Sequence, residues 1–111
     1  MKKYLIFVLL LCAGYITADE SGLRIVRGVL DSSAKILSGS GFTAKRTATG
    51  KFEITLDTPF VDVPAVTASV NAGGGYMVAV PDVKEGSFNV FTKNADNDYD
   101  SHSFSFIAVG K

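Results

Sequence analysis

Side chains that do chemistry are scarce in this chain: among 111 residues there is one histidine, one cysteine and no tryptophan. A single imidazole cannot build a multi-histidine zinc site, and a single thiol cannot close a disulfide within the chain. Charge of one sign is missing as well, since 11 Lys+Arg balance 11 Asp+Glu. That balance excludes the broad basic field that attracts a nucleic-acid backbone. Long apolar runs are confined to residues 4–14, which is short of the ~20 residues a membrane-spanning helix needs.

What is there begins with the order of an export signal. Lys2 and Lys3 precede the apolar run, and Ile16-Thr17-Ala18 offers a small-residue cleavage site, with cleavage expected after Ala18. Residues 1–18 therefore read as a signal peptide and residues 19–111 as one secreted domain with no membrane anchor. Leu11 before Cys12 lacks the small residue of a lipoprotein site. Processing removes Cys12, Lys2 and Lys3, leaving about 93 residues at a formal charge of about −2 and no disulfide. Phe42, Phe52, Phe60, Phe88, Phe91, Phe104 and Phe106 remain. Each can bury roughly 150–250 Å², enough for a core without covalent staples.

Period-two alternation in short runs, broken by Gly, Pro, Asn and Asp clusters, predicts an all-β chain. In residues 42–66, Phe42 and Ala44, then Phe52, Ile54 and Leu56, alternate with polar residues around Thr49-Gly50, the signature of a hairpin. Asp57-Thr58-Pro59 ends it, and Pro64 punctuates the entry to the next strand. Further strands are expected at residues 23–30, around Ile36 and Leu37, and over 66–70, 76–80, 87–92 and 102–109. Residues 38–41 read as a flexible joint, and 93–101 as a long polar connection. About eight short strands fit an antiparallel β-sandwich of jelly-roll-like type.

The run GSGFTAKRTATGKFEITLDTPFVDVPAV, with SFNVFTKN and the closing FSFIAVG, resembles the receptor-binding tips of phage tail fibres and the H-type lectin domain. The resemblance implies a sandwich that forms homotrimers and takes carbohydrate. Where H-type lectins commonly carry tryptophan before the final Ile-Ala, this chain has Phe106, so no sugar-contacting residue is carried over.

The candidate ligand residues therefore come from the loops. Tyr76 and Tyr99 sit beside a glycine-rich and an acidic segment, and an aromatic face next to carboxylates suits a sugar ring and its hydroxyls. Asp98, Asp100 and His102 complete the expected ligand-binding set, with His102 placed to hydrogen bond a hydroxyl. Asp96, Asp98 and Asp100 alternate as calcium ligands would. An EF-hand starting at Asp96, however, needs glycine and a carboxylate where Ser101 and Ile107 stand. No cofactor or metal is expected, calcium at this loop being the one alternative. Asp100, Ser101 and His102 offer triad residue types without a G-x-S-x-G elbow, so no catalytic residue is assigned and a small hydrolase ranks last.

Phe91 falls on the polar face of its strand with Asn89, a placement that fits a subunit contact and, equally, packing against the second sheet or a loop. Lys45, Arg46 and Lys51 read as solvation and edge protection. The expectation is a secreted, non-enzymatic binding module for extracellular glycan, the alternative a structural assembly module without small ligand.

Overall fold

A computed structural model describes residues 22–111; the expected signal peptide lies outside the described residues. The chain forms eight strands: β1 (Arg24–Leu30), β2 (Ile36–Gly39), β3 (Phe42–Ala48), β4 (Lys51–Leu56), β5 (Ala65–Val70), β6 (Met77–Ala79), β7 (Ser87–Lys93) and β8 (Phe104–Gly110). They make two four-stranded antiparallel sheets, ordered β2-β1-β8-β5 and β3-β4-β7-β6. The connections from β2 to β3, β4 to β5, β5 to β6 and β7 to β8 cross between sheets, so each layer pairs strands distant in sequence. This is the antiparallel β-sandwich expected from the alternation.

The central strands β1, β4, β7 and β8 bury their alternate residues. Phe52, Ile54 and Leu56 of β4, Phe88, Val90 and Thr92 of β7, and Phe104, Phe106 and Ala108 of β8 are closed to solvent. In β1 the buried face is Val26, Gly28 and Leu30, leaving Ile25 63% exposed on the other side. Gly28 lies opposite Phe106 in the β1–β8 register. The room left by its missing side chain is filled by Phe42 from the other sheet, whose ring meets Phe106 edge-on at 5.0 Å. Phe88 meets the same Phe106 ring at 5.2 Å, and Phe52 packs on Phe104 at 4.8 Å. Aromatic rings at such spacings gain from edge-to-face contact beyond their burial.

The proline corner closes the opposite end. Phe60 is buried, its N–H donates to the Glu85 carbonyl at 2.8 Å, and the Arg24 guanidinium lies 4.3 Å from its ring centroid. Residues 38–41 are not a loose joint: Ser38 and Gly39 finish β2, and Gly39, at φ +102°, abuts the Arg27 carbonyl. The turn into β2 is organised by Asp31. Its Oδ1 accepts from the Ser33 N–H and hydroxyl at 2.8 Å each and from the Lys35 N–H at 2.9 Å. The Lys35 N–H first, then the Ser33 donors, hold the Asp31 carboxyl below its usual range.

Two measurements test this account. Gly28→Ala places a methyl group against Phe42 and Phe106, and urea unfolding should show a loss of about 1–3 kcal/mol, the usual cost of overpacking. Gly73→Ala, whose new Cβ meets nothing within 4 Å, should leave the midpoint nearly unchanged. Because folding depresses the Asp31 pKa, its contribution is full above the unfolded value and lost as pH falls through the folded one. Asp31→Asn should therefore flatten the acid limb of the stability profile relative to wild type.

Candidate functional site

The end of the sandwich near the acidic segment is organised by Thr92, the one buried polar residue of the core among the described residues. Its Oγ donates to the Asp100 carbonyl at 2.6 Å, its N–H donates to the Gly50 carbonyl at 2.8 Å, and its own carbonyl accepts from the Asp100 N–H at 3.1 Å. Three segments meet at this residue: the β3–β4 turn, β7, and residues 99–101. Ser101 completes the joint by accepting the Gly50 N–H at 2.8 Å. Gly50 can serve because it lacks a side chain and adopts φ +69°; a Cβ there would lie 2.5 Å from the Thr92 carbonyl oxygen.

Beyond that turn β4 ends, and Tyr99 takes the vacated place beside β7 through a bridge to Lys93. Residues paired across antiparallel strands share a face. The outer face of this sheet therefore carries two adjoining rows, Lys51–Phe91–Ala79 and Tyr99–Lys93–Met77. Tyr99 leans over Phe91 edge-on, with ring centroids 5.8 Å apart. Two ammonium groups attend the Tyr99 ring, Lys51 Nζ at 4.6 Å and Lys93 Nζ at 4.7 Å from its centroid. Lys93 Nζ also donates to Asn97 Oδ1 at 3.3 Å. Between Tyr99, Met77 and the Phe91 floor runs an open groove of about 360 Å³ that also touches Ala79, Lys93 and Asn97.

The turn that positions Asn97 is built around Asn94. Its Oδ1 accepts the N–H groups of Asp96 and Asp98 at 2.9 and 3.1 Å, and its carbonyl accepts that of Asn97 at 3.0 Å. Asn97 adopts φ +67°, which asparagine tolerates better than most residues. The long connection is thus a tight Asx-centred turn. Its carboxylates do not converge: among the described residues no three His, Cys, Asp or Glu side chains gather around one point.

The expected ligand residues fall into separate places. Tyr99 and Phe91 come together on the outer face, although Phe91 was singled out as a subunit contact. Tyr76 and His102 form a second aromatic pair, with centroids 4.5 Å apart. Tyr76 precedes the outward Met77 and so lies toward the inner side of the sheet. His102 lies before β8, not within it, and its Nδ1 is buried without a hydrogen-bond partner. Asp98 is exposed in the turn, whereas Asp100 works through its main chain at the Thr92 joint. Lys51, Lys93, Met77 and Asn97 were not anticipated. The hairpin tip, assigned from sequence to packing, turning and solvation, supplies Lys51 and Gly50. The available signal was an aromatic among polar residues in β7; its neighbours depend on strand pairing.

No protein-family model, curated protein or solved structure matches this chain.

Gly50→Ala forces a left-handed alanine into a closed joint. Denaturant unfolding should show a loss of more than about 1 kcal/mol, beyond the ordinary cost of alanine at positive φ. No tryptophan is present, and in a Tyr76→Phe background Tyr99 is the one tyrosine left among the described residues; its emission should change when Gly50→Ala is added.

Proposed function

We propose that this protein is a secreted, non-enzymatic binding module that takes extracellular carbohydrate in the Tyr99 groove. One observation carries the reading: an aromatic wall and floor, Tyr99 over Phe91, stands beside the polar heads of Lys93 and Asn97. A sugar ring has an apolar face and a rim of hydroxyls, and this arrangement offers a partner to each. At about 360 Å³ the groove falls within the size range of small-ligand sites. Tyr99, 41% exposed, leaves ring surface for a ligand. The likeness of the hairpin and closing strand to H-type lectins and tail-fibre tips favours the same reading. The residues lining the groove include no carboxylate or imidazole, which favours binding over acid–base chemistry.

A second reading, assembly into a homotrimer, is favoured by the outer face of the other sheet. Ile25 and Ile107 are 63% and 46% exposed there, and Val61 and Val63 of the segment leading to β5 are 80% and 57% exposed. Exposed apolar surface of this kind marks contact sites.

A glycan array probed with the processed protein tests the first reading. Selective binding is expected, and Tyr99→Ala should weaken it at least tenfold, which corresponds to about 1.4 kcal/mol. Absence of binding to every glycan would overturn it. Sedimentation of the same sample addresses the second: a stable monomer removes the assembly reading.

A further inference from the structure

We infer that the saccharide taken by the Tyr99 groove is an acidic one, its carboxylate or sulfate held by Lys51 and Lys93. The inference rests on the carbohydrate reading above and narrows it to a ligand class. Both ammonium groups lie against one ring, at 4.6 and 4.7 Å from the Tyr99 centroid. They are therefore within about 9 Å of each other, less than the ~10 Å over which salt screens exposed charges. The ring's negative face draws each ammonium in, but it does not neutralise the pair.

Neither lysine has an anionic partner among the described residues. Among the described residues the one ion pair is Lys45 with Glu53, at 3.5 Å. Glu53 stands two residues beyond Lys51 on the same face of β4, so the carboxylate nearest in the strand is already engaged. On the adjoining strand Asn89 occupies the position opposite Glu53, and its Nδ2 donates to Asp82 at 3.1 Å. Lys93 donates to the neutral Asn97 side chain. The carboxylates of the neighbouring turn, Asp96, Asp98 and Asp100, form no ion pair with either lysine.

An isolated pair of cations beside an aromatic wall fits one anionic group on an amphipathic ring. It does not fit a polyanion, because the chain's formal net charge is zero. Lys93 lines the groove, and Lys51, from β4, stands against the same Tyr99 ring without lining it. An anion seated beside the Tyr99 ring would gain from both charges without displacing any salt bridge among the described residues.

Isothermal titration of the processed protein against 3′-sialyllactose, 6-sulfated N-acetyllactosamine and their neutral parent saccharides tests the inference. At least one acidic probe should bind tenfold or more tighter than its neutral parent, with the advantage shrinking as sodium chloride rises. The probe that shows it distinguishes carboxylate from sulfate. In the Lys51→Gln/Lys93→Gln protein, shown by urea unfolding to be folded, the acidic-to-neutral ratio should contract to within about twofold. Equal binding of acidic and neutral probes by the wild-type protein would overturn the acidic preference while leaving the carbohydrate reading standing. An acidic preference undiminished in the double variant would overturn the role of these lysines. Binding of no saccharide at all would overturn both readings.

Discussion

The packing of Phe106 against a strand that carries no side chain opposite it is the contact on which the sandwich depends. Gly28 leaves a gap beside Phe106, and Phe42 crosses from the other sheet to fill it, while Phe88 closes the remaining side of the same ring. Four strands, β1, β3, β7 and β8, are thereby locked at one point. A core held by interlocking rings tolerates few alternative registers, because slipping β3, β7 or β8 by one residue would turn its phenylalanine outward. This explains how a chain with a single cysteine, and so no internal disulfide, still fixes the relation of its two layers.

The same rigidity reaches the outer face through Thr92. That residue is buried in the core, yet its hydroxyl and main chain hold the β3–β4 turn and the Tyr99 segment together. Inner packing and outer site are thus two sides of one strand: Phe88, Val90 and Thr92 face inward, and Phe91 and Lys93 outward. The Tyr99 side chain is positioned by a turn whose hydrogen bonds are internal, not by a freely moving loop. Such a frame is well suited to holding aromatic and charged groups at fixed spacing for a ligand.

Much of the fold was legible residue by residue. Alternation in residues 42–56, the glycine of the Thr49-Gly50 turn and the stops at Pro59 and Pro64 mark local physics, and the strands form where those signals lie. Even the odd placement of Phe91 was visible, because a two-residue period needs only neighbours to be read. The site was legible only in fragments. Tyr99 stood out beside its acidic segment, but nothing nearby in sequence indicated that Lys51 or Met77 would be its companions. The flexible reading of residues 38–41 failed because their tightness comes from Arg27, on the strand they pair with.

Composition and periodicity by themselves determined that this chain is all-β, which face of each central strand is apolar, and where the turns fall. These properties are set by side-chain volume and backbone dihedrals over a few residues. Only the tertiary structure decided that β4 lies between β3 and β7, that Tyr99 succeeds β4 beside Lys93, and that Lys51 and Lys93 share one ring. Strand order is a competition among long-range pairings, won by the arrangement that closes the phenylalanine core, and the chemistry of the outer face follows from it.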